Sequence, residues 1–133
     1  VSRIACALGD RVAAVASLSG LAAPVEPCHG SSAIIAFHGT ADDVVPFNGG
    51  AVRLIYQYGG VRAAISAWST LNRCSGSPVA QRISTRTVRE SHQGCVRPVA
   101  LIQITGGGHE WPSSSDVNVA DTVWAFFREQ HLP

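Results

Sequence analysis

The chain has 133 residues, enough to bury one core but too few for two domains, so it is one domain or part of one. Hydrophobic residues make up 46% and charged residues only 14%, which excludes a disordered chain and leaves the surface to Ser, Thr, Gly, Asn and Gln. A net charge of +1 with scattered arginines argues against nucleic-acid and membrane-surface partners, and no apolar run approaches the roughly 18–20 residues of a membrane span.

Methionine is absent and the opening "VSRIACALGD" reads as a helix already under way, so further chain is expected before Val1. Residues 2–9 carry Ile4, Ala5 and Leu8 at helical spacing and stop at Gly9. Residues 11–18, small and apolar, suit a strand buried on both faces. The turn-rich "EPCHGSS" leads to a second buried strand, "SAIIAF". A loop over residues 38–47 follows. Residues 48–58 and 61–73 read as two helices separated by Gly59 and Gly60, the second with Ala64, Ile65, Trp68 and Leu71 as a core stripe. Residues 81–90 alternate like one half-exposed strand, and "PVALIQI", 98–104, reads as a buried one. After the glycine-rich and serine-rich loop 105–115, a final helix is expected from about Asp116, capped by Ser115 or Asp116, through Val119, Val123, Phe126 and Phe127 to near Gln130. Trp68, Trp124, Phe126 and Phe127 are read as core.

This alternation predicts a three-layer α/β fold with a mainly parallel sheet flanked by helices. In such sheets functional groups gather in the loops after the carboxyl ends of strands, the position of loops 38–47 and 105–115.

Cys6, Cys28, Cys74 and Cys95 are widely separated, with no Cys-x-x-Cys pair and no His at ligand spacing. That argues against structural zinc and leaves buried thiols or two disulfides. The even count on a weakly charged chain favours disulfides and a secreted, extracellular or periplasmic location. Pairing Cys6 with Cys28 and Cys74 with Cys95 is expected because each pair brackets a compact local unit.

An acid loop followed downstream by a His loop, each directly after a buried strand, supplies what a nucleophilic triad needs beyond its nucleophile. The carboxylate orients the imidazole and stabilises its charged form, and the imidazole shuttles the proton of a hydroxyl nucleophile. Asp42 and His109 stand in the acid-then-His order of α/β-hydrolases. Asp43 reads as a turn or cap residue. His38 reads as structural, closing the strand end by bonding to backbone, while His29, His92 and His131 read as solvated. Trp111 either walls a substrate cleft or packs over the His loop. No motif implies a metal or organic cofactor.

Taken together, "HGTADDVVPFNGG", "GGGHEWPSS" and the terminal "VWAFF" helix resemble the C-terminal half of secreted α/β-hydrolase esterases of the polyhydroxybutyrate depolymerase and feruloyl esterase group, over nearly the whole chain. The His-Gly-x-x-Asp-x-x-Val-Pro pattern alone also occurs in dienelactone hydrolases, acyl-protein thioesterases and prolyl-oligopeptidase-type peptidases. "GGGHEWP" and the cysteine placement favour the esterases. The resemblance implies residues 1–133 as a partial hydrolase domain, with Asp42, four residues before Pro46, as catalytic acid and His109 as catalytic base. It implies an ester substrate, a polyester or an aryl ester of a plant polymer. The family's Gly-x-Ser-x-Gly elbow has no counterpart here, so the nucleophile is expected upstream and this chain alone is expected to be nearly inert. A catalytically inactive binding domain on the same scaffold and a prolyl-oligopeptidase-type peptidase are the competing readings.

Overall fold

A computed structural model describes residues 1–28 and 32–132; the expectation for His29 lies outside the described residues. In chain order the elements are α1 (Ser2–Ala7), β1 (Ala14–Leu18), β2 (Ala33–Gly39), β3 (Gly50–Val52), β4 (Tyr56–Tyr58), α2 (Val61–Leu71), β5 (Gly76–Arg82), β6 (Thr87–Gln93), β7 (Val99–Ile104) and α3 (Val119–Phe127). Five strands form one sheet in the order β1-β2-β7-β6-β5. β1, β2 and β7 run parallel. β6 and β5 are added antiparallel, so the sheet is mixed and not mainly parallel.

β2 lies between two parallel neighbours, and all seven of its residues are buried. A strand covered on both faces has no need of polar alternation, which is why "AIIAFHG" reads as one apolar run. Its side chains divide between two cores. Ile34 and Ala36, with Val99 and Leu101 of β7, pack beneath Ala5 of α1 and Ala64, Ile65 and Trp68 of α2. Ala33, Ile35 and Phe37, with Ala100, Ile102 and Ile104, pack against Val119 and Phe126 of α3. Helices therefore flank both faces of the sheet.

Five further expectations are corrected here. Residues 48–58 form no helix: Arg53 and Leu54 take positive φ of 49° and 59°, the turn conformation that joins two antiparallel strands, and β3 pairs with β4. Gly60, at φ 90°, then opens α2 where a Cβ would press on the Asn48 and Gly49 backbone. Residues 81–90 span the turn of the β5–β6 hairpin, where Ile83 N–H donates to the Thr87 carbonyl at 2.9 Å; without Gly or Pro, the apolar alternation ran unbroken through it. α3 begins at Val119, capped by Asn118, whose side chain accepts the Asp121 N–H, because Asp116 is held elsewhere by Arg86. Trp124 is 68% exposed, at the border of the groove between β1 and α3, and so is not core. His92 is half-buried, and that burial lowers its pKa against a smaller opposing effect of Glu90.

The sheet borders differ. β5 is exposed throughout, carries Pro78 and is irregular between Gly76 and Val79. β1, "AVASL", is half-buried, and among the described residues it pairs with β2 alone.

At the amino ends of the strands the fold is cross-tied. Cys6 is bonded to Cys28, and Cys74 to Cys95. Fully buried Asn72, just past α2, donates to the carbonyls of Ser32 and Arg97 at 2.9 and 3.1 Å, holding the starts of β2 and β7 together. The Ala22 carbonyl accepts from both Ser2 Oγ (2.8 Å) and Trp68 Nε1 (2.9 Å), which joins α1 to α2.

Trp68 thus combines complete burial with a hydrogen bond across elements. Trp68→Ala is expected to destabilise the protein by about 3–5 kcal/mol in chemical denaturation with the disulfides intact, and Trp68→Phe by distinctly less.

Candidate active site

Register alone sets two loops side by side. β2 and β7 are parallel neighbours with His38 opposite Gln103 and Gly39 opposite Ile104, so the chain leaves both at the same edge of the sheet. Thr40 N–H donates to the Ile104 carbonyl and Ala41 N–H to the Gly107 carbonyl, each at 2.9 Å. Gly106 N–H donates to Thr40 Oγ1 at 2.9 Å. A Cβ on Gly39 would collide with the Gly107 carbonyl, so only glycine permits this approach.

Asp42 is 5% exposed and so is not a solvated turn acid. Its Oδ1 accepts two backbone N–H bonds, from Val44 at 3.0 Å and Val45 at 2.7 Å. Its Oδ2 lies 2.9 Å from His109 Nδ1. Burial alone would raise the carboxyl pKa. The Val45, His109 and Val44 hydrogen bonds and the attraction to His109 outweigh it and hold the group below its ordinary value. An ionised carboxylate can only accept, so Nδ1 of His109 carries the proton. The His109 side chain remains 39% exposed, and its second nitrogen, Nε2, is the one left for proton transfer.

His38 lies under this pair. Its Nε2–H donates to the Val45 carbonyl at 2.8 Å and stands 3.5 Å from Asp42 Oδ2. The ring stacks on Tyr58 and meets Phe47 edge-on. Tyr58 donates to the Leu21 carbonyl at 2.8 Å, and burial, helped by Tyr56 and Asp42, pushes its phenol pKa up to about 12. His38 thereby fixes the turn whose amides face Asp42. Neither Tyr58, assigned by sequence to a helix, nor the two amides gave a signal in the residue pattern. Asp43 is exposed.

Beside the pair lies a cavity of about 140 Å³, lined in part by Ser19, Gly39, Gly108 and Trp111. It adjoins an apolar groove of about 410 Å³ between β1 and α3, bordered by Leu18, Phe37, Trp111, Val123 and Trp124. Trp111 is 65% exposed and borders both, so it does not pack over the His loop as core. Arg86 and Asp116, neither predicted as site residues, also line the cavity and form a two-point ion pair, Nε–Oδ1 3.1 Å and Nη2–Oδ2 2.6 Å. Sequence distance hid it, since the partners lie 30 residues apart. Among the described residues only Asp42 hydrogen-bonds the His109 ring, and no group of three or more His, Cys, Asp or Glu is arranged to hold a metal ion.

No family model matches the chain. It is 32% identical over 131 residues to a probable feruloyl esterase C of Aspergillus clavatus, an alignment that takes in 93% of this chain and 43% of that protein. To the feruloyl esterase C of Emericella nidulans it is 29% identical, again over 93% of this chain and 43% of the relative. The feruloyl esterase B of Piromyces equi is 30% identical over 105 residues, 75% of this chain and 18% of the relative. The chain spans less than half the length of these curated relatives.

Because the folded pKa of Asp42 is depressed, its contribution to stability is fully present above the unfolded value of about 3.9 and is lost as pH falls through the lower folded value. Asp42→Asn, which keeps an acceptor for Val44 and Val45 but cannot titrate, is expected to flatten the acid limb of a melting-temperature profile below about pH 4. An unchanged acid limb would show that Asp42 is not the group being titrated.

Proposed function

We propose that this chain carries the acid and the base of a serine carboxylic ester hydrolase, with Asp42 orienting His109. The observation that carries the reading is the 2.9 Å contact of Asp42 Oδ2 with His109 Nδ1 at the carboxyl ends of adjacent parallel strands. The feruloyl esterase relatives support the ester class. The helix-flanked sheet is consistent with the C-terminal portion of a three-layer α/β-hydrolase domain. Two disulfides support an oxidising, extracellular or periplasmic location.

In this reading His109 Nε2 takes the proton of a Ser hydroxyl as its oxygen attacks the ester carbonyl, and the imidazolium, steadied by Asp42, returns that proton to the departing alcohol. Water then cleaves the acyl-enzyme by the same route. The Ser and the oxyanion donors are assigned to residues outside these 133. The substrate proposed is an aryl ester of the feruloyl type, whose ring would lie against Trp111 at the mouth of the apolar groove. A polyester chain of the hydroxybutyrate type would use the same acid and base, and relative turnover of the two substrates separates them.

His109→Ala in the protein carrying this chain is expected to lower kcat on methyl ferulate and p-nitrophenyl acetate by at least about a thousandfold. A fluorophosphonate probe is expected to label that protein at a Ser outside residues 1–133. Retained turnover, or labelling within this chain, would overturn the assignment, and absence of any labelling would leave a binding domain on a hydrolase scaffold. Trp111→Ala is expected to raise KM for methyl ferulate by about three- to tenfold while changing kinetics on the acetyl ester little.

A further inference from the structure

The loop that carries His109 is held at both ends by one residue. Where it leaves β7, Thr105 N–H donates to the backbone carbonyl of Arg86 at 2.8 Å. Where it returns toward α3, the Arg86 guanidinium grips Asp116 through both carboxylate oxygens. Asp116 is 7% exposed and also accepts Ser113 Oγ at 3.0 Å, while its backbone N–H donates to the Ser113 carbonyl at 3.0 Å. The far end of the loop is therefore folded around the carboxylate that Arg86 holds. Arg86 sits at the β5–β6 turn, and among the described residues its guanidinium bonds to neither Asp42 nor His109, so its influence on the pair passes through the loop.

We infer that Arg86 is a positioning residue for His109: by holding Thr105 through its backbone and Asp116 through its side chain, it sets the span of the His loop and so the alignment of the imidazole on Asp42. The inference rests on the proposed role of His109 for its kinetic consequence but not for its geometric one. Two features make the side-chain half decisive. Gly106, Gly107 and Gly108 lead directly into His109, a stretch with little intrinsic stiffness. The two-point ion pair is also directional in a way that a point charge is not.

The test compares Arg86→Ala, Arg86→Lys and Asp116→Asn in the protein carrying this chain. Each variant is read by proton NMR for the low-field resonance of the His109 Nδ1–H bonded to Asp42, by ester kinetics and by melting temperature. In Arg86→Ala and Asp116→Asn the resonance is expected to be lost to exchange, with kcat reduced by about ten- to a hundredfold and KM moved by less than about twofold. Arg86→Lys, which keeps a charged donor toward Asp116, is expected to recover part of the resonance and of kcat. A resonance as sharp in Arg86→Ala as in the unaltered protein would overturn the inference, and so would a fall in melting temperature in all three variants with no change in the resonance. Should the hydrolase reading fail, turnover would be absent throughout while the loss and recovery of the resonance would still follow Arg86, so the two failures are distinguishable. If Arg86→Ala does not fold, Asp116→Asn carries the same comparison with the backbone of Arg86 untouched.

Discussion

The parallel pairing of β2 with β7 is the constraint on which the rest of the structure depends. These two strands are far apart in the chain, yet their register brings Gly39 opposite Ile104, and the loops that follow have no choice but to meet. Each strand is buried on both faces, so a slip of one residue would exchange the two cores and drive side chains shaped for α2 against α3. Precision at the Asp42–His109 contact is inherited from that packing. The cross-ties at the amino ends, through Asn72 and the two disulfides, secure the same strands from the opposite side.

Asp42 illustrates how a buried charge is made tolerable. A carboxylate withdrawn from water favours its neutral form unless donors replace the lost hydration. Here two amides of one tight turn and one imidazole supply those donors, and His38 braces the turn from below. The same arrangement leaves the outer side of His109 open. Rigidity beneath and access above are thus two results of one hydrogen-bond set.

Much of this was legible in the residues. β2 and β7 announce themselves as uninterrupted apolar runs because burial on both faces removes any need for polar positions. The stripe on α2 is visible because one face alone packs on the sheet. Asp42 and His109 stood out as candidates because each lies in the loop that follows such a run. What escaped reading depended on conformation or on distant partners. Arg53 and Leu54 adopt a left-handed turn that their side chains do not advertise, so a hairpin read as a helix. The β5–β6 turn contains neither Gly nor Pro, and the alternating pattern passed through it. Asp116 resembled a helix cap because nothing local marks its pairing with Arg86, and Trp124 belongs to a helix whose apolar residues do not all reach the core.

The unequal borders of the sheet bear on how this chain behaves among its neighbours. A strand lined with unpaired amides and carbonyls is an invitation to another strand, and β5 declines it with a proline, an irregular register and a terminal arginine. Among the described residues β1 pairs with β2 alone, and its five residues carry no charge and no proline. The sheet is therefore polar in its capacity to grow, closed on one flank and receptive on the other. On that flank a lysine or proline would act directly on strand addition, as Pro78 does at the opposite border.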